Sequence, residues 1–374
     1  MSTSIQPNAP FRADIVGSFL RPQAVKDARA AYVAGKLDAS GLKAVEDEAI
    51  RDLVAKQKAA GLQVITDGEF RRSYWHLDFM WGLNGVERRT SRTGYMFHDE
   101  ETTADTAVVT GPISGENHPF VEHFKFVKQF EDENTVARQT MPSPAQTRFV
   151  LTGNAAAYPY DEFYKNDDEL TADIVAAYRQ VIADLYAAGC RNVQFDDCTW
   201  TRLCDASVRE RLGWSDEDAL RLQQENLDVI NAVIADQPDD LVINTHVCRG
   251  NFHSTWLSSG GYAPVAAKLF GEENVDAYYL EFDDDRSGDF APLAEVSGDK
   301  KVVLGLITTK RPELEDKAAI IARIHEAAKY VPLENLYLSP QCGFASCEIG
   351  NKLTEEQQWA KLALVKEIAE EVWG

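Results

Sequence analysis

The two stretches that decide the fold read Asn192-Val-Gln-Phe-Asp-Asp197 and Leu241-Val-Ile-Asn-Thr-His-Val-Cys248. Each is a short, mainly apolar run that predicts a buried strand, and each ends in side chains able to bind a metal or a charged group. A helix is expected between them, because Ser215 and Asp218 form a capping-box pattern ahead of apolar residues at helical spacing. A strand, a helix and a second strand in this order predict a parallel pair joined by a right-handed crossover.

The same alternation of apolar runs and helical patterns extends over the rest of the chain. Further helices are expected over residues 42–60, 171–189, about 314–329, and about 355–372 after a cap formed by Thr354 with Gln357. The expected strands cover residues 12–19, 64–67, 135–141, 192–197, 241–248, 277–282, 301–308 and 336–340. About eight parallel strands favour an α/β fold of the (β/α)8 type, the TIM barrel, over an open doubly wound sheet.

The stretch from Arg88 to Asn134 is the least regular part of the sequence. It contains Thr-Ala-Val-Val-Thr-Gly-Pro at positions 106–112, which predicts a strand or hairpin among polar turns. We interpret the stretch as an insertion after the second strand–helix region. Since no repeat or proline-rich linker divides the chain, residues 1–374 are expected to form a single barrel with an insertion at about 88–134.

The charge of the chain argues against several classes of partner. Lys and Arg number 38 against 60 Asp and Glu, and a net charge of −22 disfavours nucleic acid and anionic membrane surfaces as ligands. No run approaches the roughly 18 apolar residues of a membrane helix, and Met1 to Pro10 lacks the pattern of a secretory signal. The six cysteines form no CxxC pair, which favours a reducing compartment. We therefore expect a cytoplasmic protein that handles small molecules, and a homo-oligomer is left open.

Reactive side chains follow most of the predicted strands. In a barrel the loops after the strands converge on one mouth, so these residues are expected to meet there. The two arginines in this set are either surface residues or suit an anionic substrate group, and the Trp-His pair is either a stacking wall or ordinary packing. The set consists of Gly17-Ser18, Asp67-Gly68-Glu69, Arg71, Arg72, Trp75, His76, Asp196-Asp197, His246, Cys248, Glu281 and Cys342-Gly343.

His246 and Cys248 are the sharpest pair of candidate metal ligands. Residues i and i+2 of a strand face the same side, so the imidazole and the thiolate can bind one ion. Cys342 from another strand would complete a soft set suited to Zn²⁺, with Glu281 as a fourth, displaceable ligand. The alternative is that the two cysteines are buried fillers and the histidine is a hydrogen-bonded core residue. We adopt the filler interpretation for the remaining cysteines, Cys190, Cys198, Cys204 and Cys347.

Five of these motifs together point to a known family. They are Val16-Gly17-Ser18, Asp67-Gly68-Glu69, His246-x-Cys248, Glu281 and Cys342-Gly343. In combination they resemble the catalytic barrel of cobalamin-independent methionine synthase, and the resemblance runs from about Arg12 to the C terminus. The chain is more similar still to the short, single-barrel members of that superfamily, the methionine-synthase-like proteins, whose relatives include epoxyalkane:coenzyme M transferase.

The resemblance implies an activity like that of 5-methyltetrahydropteroyltriglutamate–homocysteine S-methyltransferase. In this reaction zinc activates the thiol of homocysteine, which takes a methyl (alkyl) group to form methionine, with a methyltetrahydrofolate as nominal donor. No catalytic group is implied beyond the zinc-activated thiol. Glu69 and Asp196 would hold the amino group of homocysteine, and Gly17 and Ser18 would meet its carboxylate. The implied zinc ligands are His246, Cys248, Cys342 and Glu281, the last being exchanged when the thiol arrives.

Departures from the family pattern concern the methyl donor more than the thiol. The full-length synthases carry a second, N-terminal half that helps to bind polyglutamylated folate, for which 374 residues leave no room. The family's Asp-Glu-Pro is Asp196-Asp197-Cys198 here, so only the first acid matches. Residues 142–149 also lack the tryptophan on which folate stacks in the family.

Two other functions therefore stay open. One keeps the zinc and the barrel but uses another electrophile, either an epoxide with coenzyme M or a methyl-corrinoid. The other is a non-catalytic metal- or amino-acid-binding barrel. In that case Asp67 and Asp196 would cap the helices that follow them, and Gly17-Ser18 would be only a tight turn.

Overall fold

Parallel strands and intervening helices alternate through residues 8–374, the part of the chain that the computed structural model describes. Strands β6 and β10 have the predicted bounds, and β7 to β9 differ from the predicted strands by one residue at one or both ends. The strands are β1 (Val64–Ile65), β2 (Asn84–Thr90), β3 (Asp105–Ser114), β4 (Val136–Ala137), β5 (Gln139–Pro142), β6 (Asn192–Asp197), β7 (Val242–Val247), β8 (Ala277–Glu281), β9 (Lys301–Ile307) and β10 (Leu336–Pro340).

The strands follow the order of a (β/α)8 barrel, as predicted. Strands β5 to β10 form one parallel sheet in chain order, and β1 pairs in parallel with β4, which leads directly into β5. The first strand position lies beside β10, where Ala13 forms a parallel bridge with Leu338. Its other side approaches the segment after β1, since Phe19 N donates to Gly68 O at 3.1 Å.

The predicted strand over residues 12–19 is longer than the one observed. Only Ala13 pairs as a strand residue, because the Asp14 carboxylate draws nearby backbone amides into a local turn. It accepts hydrogen bonds from Phe11 N at 2.8 Å and from Ile15 N at 2.7 Å. Side-chain bonds of this kind compete with a strand ladder for the same backbone groups.

The helices cover the outside of the strands. Both predicted capping boxes are confirmed, at Ser215 with Asp218 and at Thr354 with Gln357. The helices are α1 (Gln23–Val33), α2 (Ala39–Ala59), α3 (Leu77–Gly82), α4 (Pro119–Lys128), α5 (Pro144–Gly153), α6 (Asp167–Ala187), α7 (Thr199–Cys204), α8 (Ala206–Leu212), α9 (Asp216–Ile234), α10 (Ala266–Glu272), α11 (Lys317–Ala327) and α12 (Glu355–Trp373).

The insertion is an antiparallel hairpin formed by β2 and β3. Its strand over residues 106–112 was predicted, and the hairpin begins at Asn84, a few residues before the expected start at Arg88. The end of the predicted insertion is wrong, because α4 packs against β4 and α6 as one of the barrel's own helices. Its signal in the sequence is Pro119 at the first helical turn after a His118 cap.

The barrel interior is closed at one end by a buried charged cluster. Arg138 lies 3.1 Å from Asp14 in an ion pair, and its guanidinium donates to the Tyr279 hydroxyl at 2.6 Å and to Asn192 Oδ1 at 2.7 Å. Every residue of β5, β6, β8 and β10 is buried, as expected for parallel strands with both faces covered. Within residues 8–374 no helix is long and apolar enough to cross a membrane.

Candidate metal centre and its pocket

The carboxyl ends of three strands bring the four predicted metal ligands together. His246 lies near the end of β7 and Cys248 directly after it, Glu281 ends β8, and Cys342 follows β10. One candidate ligand atom from each of these residues lies within 4.8 Å of all the others, and all four residues are buried. Because parallel strands all end at the same mouth, a separation of 94 residues between the two cysteines is bridged by the fold.

The geometry of the two sulfurs fits a shared metal ion. Cys248 Sγ and Cys342 Sγ lie 3.7 Å apart, whereas a disulfide needs about 2.05 Å. Two metal–sulfur bonds of about 2.3 Å at a tetrahedral angle place the sulfurs about 3.8 Å apart. The spacing is therefore that of two ligands on one ion of the zinc type.

The histidine is oriented to offer one ring nitrogen. His246 Nδ1 lies 3.1 Å from the Tyr279 carbonyl oxygen, which can only accept a hydrogen bond. Nδ1 therefore carries the proton, and Nε2 keeps a free lone pair. Nε2 is buried and has no hydrogen-bond partner among the residues the structure describes. An orphaned acceptor of this kind is what a metal ligand requires.

The surroundings of Cys248 and Cys342 favour the protonated thiols over the thiolates. Donation of a hydrogen bond by the Cys248 thiol to the Cys198 sulfur, together with burial, raises the pKa of Cys248 well above its ordinary value. The hydrogen bond between the Cys342 and Cys248 sulfurs, together with burial, raises the pKa of Cys342 well above its ordinary value. One backbone group favours the thiolate, because Gly250 N donates to Cys248 Sγ at 3.3 Å.

A cavity opens beside this centre. Of the eight predicted site residues, six line it. The other two are Glu281 and Gly17. Glu281 is fully buried and does not line the cavity, and Gly17 does not line it either, although its neighbours Val16 and Ser18 do. The lining residues are Val16, Ser18, Glu69, Trp75, Asp196, His246, Cys248, Asn251, Cys342, Gly343 and Ser346.

Glycine is required at two positions around Ser18. Gly17 has a φ of 145°, and a Cβ there would lie 2.8 Å from the Thr140 methyl carbon. A Cβ on Gly343 would lie 1.9 Å from Ser18 Oγ, so a side chain there would displace the hydroxyl. Ser18 Oγ itself accepts a hydrogen bond from Ala345 N at 3.3 Å. The two glycines therefore let the hydroxyl of Ser18 reach the cavity.

Glu69 and Asp196 are two buried acids that share the cavity wall. Burial raises the pKa of Glu69, although Arg72 lies 3.4 Å from its Oε1. Burial, followed by the charge of Glu69, raises the pKa of Asp196 well above its ordinary value. Glu69 also has a left-handed backbone with a φ of 63°, which is strained for a residue with a side chain. Two acids held in this way offer a place for a cationic group.

Asp196 does not cap a helix, and that interpretation is wrong. The acid that binds the first amide of α7 is its neighbour Asp197. Asp197 accepts hydrogen bonds from Thr199 N at 2.5 Å and from the Ser143 hydroxyl at 2.6 Å. Asp196 accepts one from Gln194 at 2.9 Å and lines the cavity. Asp67 does not cap a helix either, because α3 begins only at Leu77; it accepts a hydrogen bond from Glu69 N at 2.8 Å within a turn.

The expectation that two arginines face the mouth is wrong. Arg71 pairs with Glu46 at 3.1 Å and with Asp47 at 2.5 Å, both on α2. Arg72 is buried, lies beside Glu69, and donates to the Thr140 carbonyl at 2.7 Å. Their charges are therefore matched within the protein and are not offered to an anionic substrate.

A second cavity adjoins the first and shares Trp75 and Asn251 with it. Tyr95 and Phe97 of the hairpin's connecting loop form part of its wall. The insertion thus borders the space next to the candidate metal centre. Trp75 stands between the two cavities and also packs against the sulfurs of Cys198, Cys248 and Cys342.

Sequence reasoning missed several residues of this region. Asn251 and Ser346 line the cavity from the loops that carry Cys248 and Cys342, so their nearness to those ligands was the available signal. Cys198, interpreted as a filler, lies in the same cluster of sulfurs. Lys310 lies shortly after β9, the one strand of the second half for whose end the sequence predicts no reactive group.

The fold and the donor set define a class of protein: a (β/α)8 barrel with a histidine, two cysteines and a glutamate gathered at its mouth. The model of the family described as the catalytic domain of cobalamin-independent synthase matches residues 11–371. The chain belongs to this family, and the predicted membership is confirmed.

Similar proteins include some with no assigned activity and some with a named one. The uncharacterized protein YxjH of Bacillus subtilis is 45% identical over 99% of this chain and 97% of its own length. A Listeria monocytogenes structure, described as a candidate vitamin-B12-independent methionine synthase, is 41% identical with a TM-score of 0.79 and covers 98% of this chain and 99% of its own. The 5-methyltetrahydropteroyltriglutamate–homocysteine methyltransferase of Cronobacter sakazakii is 27% identical over 88% of this chain and 39% of its own length.

Proposed function

We propose that the chain binds zinc and transfers a methyl group to the thiol of homocysteine, forming methionine. One observation carries the proposal: the candidate ligands and two buried acids open onto the same cavity. Cys248 and Cys342 line one part of it, and Glu69 and Asp196 line another. A small molecule that has both a thiol and an ammonium group would satisfy both parts at once.

Zinc is the ion that the donor set favours. Two thiolates, an imidazole and one exchangeable carboxylate are a soft set with a position that can be opened to substrate. When bound, zinc lowers the pKa of a coordinated thiol, so that the sulfur is ionised at neutral pH. In this proposal His246, Cys248 and Cys342 stay on the ion, and Glu281 is the ligand that gives way.

The protein's own part is to hold the amino acid and keep water from its sulfur. Glu69 and Asp196 would accept hydrogen bonds from the ammonium group, and the hydroxyl of Ser18 would donate to the carboxylate. Trp75, which packs against the cysteine sulfurs, would exclude water from the thiolate. No side chain is assigned the role of a general base, because ionisation of the thiol is the contribution of the metal.

The buried acids favour homocysteine over coenzyme M as the thiol. Coenzyme M carries a sulfonate where homocysteine carries an ammonium and a carboxylate, and a sulfonate near Glu69 and Asp196 would be repelled. The two arginines of this region, Arg71 and Arg72, are paired with acids of the protein and do not offer the sulfonate a cation.

A methyltetrahydrofolate is the nominal donor in this proposal, and the second cavity is its proposed position. Gln146 of α5 lines that cavity, together with the aromatic side chains of Tyr95 and Phe97. Gln146 lies in the stretch 142–149, where the family carries its folate-stacking tryptophan. Because that tryptophan is absent here, a methyl-corrinoid or another alkyl donor is the second candidate.

The proposal is tested with protein from which metal has been removed by a chelator. Reloading with zinc should restore methionine formation from homocysteine and a methyl donor, and Cys342→Ser should lose both metal and activity. Cys190→Ser is the matched control, because Cys190 is buried in the core, where its thiol donates to Asn192 O at 3.3 Å. Full activity in metal-free protein would contradict the proposal.

A panel of donors then separates the alternatives. Methyltetrahydrofolate, methylcobalamin, and an epoxide offered with coenzyme M are each supplied to the zinc-loaded protein, and the thioether product is measured. A non-catalytic barrel would bind zinc tightly, show no change at the metal when thiols are added, and form no product with any donor.

A further inference from the structure

Lys310 is a buried lysine placed next to the displaceable candidate ligand. Only 8% of its surface is exposed. Its Nζ lies 3.8 Å from Glu281 Oε2 and 3.9 Å from Asp283 Oδ2. Within residues 8–374 this ammonium group has no hydrogen-bond partner. A buried charge without hydrogen bonds destabilises the protein. We therefore expect a second state of the protein in which the Lys310 ammonium group forms hydrogen bonds.

The carboxylate that faces Lys310 is only half satisfied. Glu281 Oε1 accepts a hydrogen bond from Arg249 N at 2.9 Å. Oε2, the oxygen near Lys310, has no hydrogen-bond partner among the described residues, and the side chain is fully buried. Asp283, on the far side of the lysine, lies 3.5 Å from Arg286. Arg286 also donates to Asp284 at 2.8 Å, so Asp283 shares Lys310 with Glu281 and keeps the ammonium group beside that carboxylate.

We propose that Lys310 stabilises the carboxylate of Glu281 after a substrate thiol has taken its place at the metal, and that it thereby sets the affinity for the thiol. This inference rests on the proposed function. In this exchange Glu281 would give up its place as a ligand, the homocysteine sulfur would take it, and the thiol proton would leave to solvent. The released carboxylate stays buried and charged, and it needs a cation close by.

The distances suit this exchange. At 3.8 Å the ammonium and the carboxylate oxygen attract each other without a hydrogen bond. A movement of about 1 Å would bring them to the 2.7–2.9 Å of a charge-assisted hydrogen bond. Lys310 is not among the residues that line the cavity. It is therefore a positioning residue that acts through Glu281.

The test uses cobalt in place of zinc, because Co²⁺ has a sulfur-to-metal absorption band that reports each new thiolate ligand. Cobalt-loaded protein is titrated with L-homocysteine, and the dissociation constant is obtained from the change in this band. Lys310→Met should bind one Co²⁺ per chain but weaken homocysteine binding by about tenfold or more. Lys310→Arg keeps the charge and should stay within about threefold of the unaltered protein.

Two further variants separate positioning from structure. In a Glu281→Gln background no carboxylate charge is released, so Lys310→Met should change homocysteine affinity by less than about twofold. Lys361→Met is the matched control, since Lys361 is also fully buried and pairs with Glu315 at 3.0 Å. That variant should lose stability without a change in homocysteine affinity. If Lys310→Met does not fold, Lys310→Gln serves the same test.

The outcomes distinguish this inference from the function on which it rests. If homocysteine leaves the band of the unaltered protein unchanged, the proposed function is overturned. If the unaltered protein responds and Lys310→Met has the same dissociation constant, only the role of Lys310 is overturned. A loss of affinity that persists in the Glu281→Gln background would likewise contradict action through the carboxylate.

Discussion

Asp196 and Asp197 are neighbouring acids at the end of β6, and their surroundings give them different tasks. Asp197 accepts hydrogen bonds from the Ser143 hydroxyl and from the backbone and side chain of Thr199. Asp196 faces the cavity, and its pKa is raised by burial and by the nearby charge of Glu69. Burial raises the pKa of Asp197 as well, but its three hydrogen bonds offset that cost and tie it to the fold. Asp196 accepts only the bond from Gln194 and is held at a cost in stability that a cationic ligand would offset.

This difference predicts opposite effects of two similar substitutions. The folded protein holds the Asp196 proton more tightly than the unfolded chain does, so stability at this group falls as the pH rises above about 4 toward the raised pKa. Asp196→Asn removes the ionisable group, so this pH-dependent loss of stability disappears. Urea denaturation at pH 7 should give a free energy of unfolding about 1–3 kcal/mol higher, with a smaller gain at about pH 4. Homocysteine binding should be lost.

Asp197→Asn is the matched control for that substitution. It weakens hydrogen bonds to Ser143 and Thr199, so the free energy of unfolding should fall by about 1–3 kcal/mol. If both variants change stability in the same direction, the assignment of the two acids to different tasks is wrong.

At the scale of the secondary-structure elements, the helix caps are set by a few neighbouring residues. Thr354 and Gln357 exchange hydrogen bonds at the start of α12, and Ser215 with Asp218 does the same for α9. Each motif satisfies backbone amides that would otherwise be unpaired at a helix terminus. Because all the partners lie within four residues, the sequence alone predicts these helix starts correctly.

The Thr354 cap is exposed and distant from the cavity, so its contribution can be measured by itself. Thr354→Ala should lower the free energy of unfolding by about 1 kcal/mol, because the Gln357 amide loses its acceptor. Thr354→Ser keeps the hydroxyl and should be nearly neutral. Metal content should be the same in both variants, and a loss of metal in Thr354→Ala would contradict the local role of the cap.

Features that depend on distant residues are predicted less well. The strand expected over residues 12–19 is reduced to a bridge at Ala13, because Asp14 binds nearby amides and an arginine from the strand segment 136–142. The end of the insertion was misplaced because α4 is recognised as part of the barrel only by its packing on β4. The common location of the four candidate ligands was predictable, because each lies at or just after the end of a predicted strand. Sequence spacing could not reveal that Lys310 stands 3.8 Å from Glu281.

Over the whole molecule, the two ends of the barrel differ in whether buried charged groups are paired with each other. At one end Arg138 and Asp14 form a fully buried ion pair with further hydrogen bonds. At the mouth, the acids Glu69 and Asp196 and the thiols of Cys248 and Cys342 have raised pKa values. At the Arg138–Asp14 end charge is therefore matched within the protein. At the mouth Arg72 faces Glu69, and the charges of Asp196 and the two thiolates are left to be matched by ligands.

This arrangement predicts that zinc uptake depends strongly on pH. Hydrogen bonding to neighbouring sulfur and burial raise the pKa of Cys248 and Cys342, and both thiols must lose a proton to bind zinc. Zinc affinity should therefore rise with pH, by up to about a hundredfold per pH unit for two released protons. Calorimetry in buffers of different ionisation enthalpy counts these protons. An affinity that does not change between about pH 6 and pH 8 would contradict the prediction.

The central claim is that a substrate thiol exchanges with Glu281 at a zinc ion held by His246, Cys248 and Cys342. X-ray absorption at the zinc edge, with and without L-homocysteine, tests it most directly. The claim predicts two sulfur ligands and two nitrogen or oxygen ligands in the free protein. On addition of homocysteine it predicts three sulfur ligands and one nitrogen ligand. An unchanged sulfur count, or a metal site that already holds four protein ligands and keeps them, would contradict it.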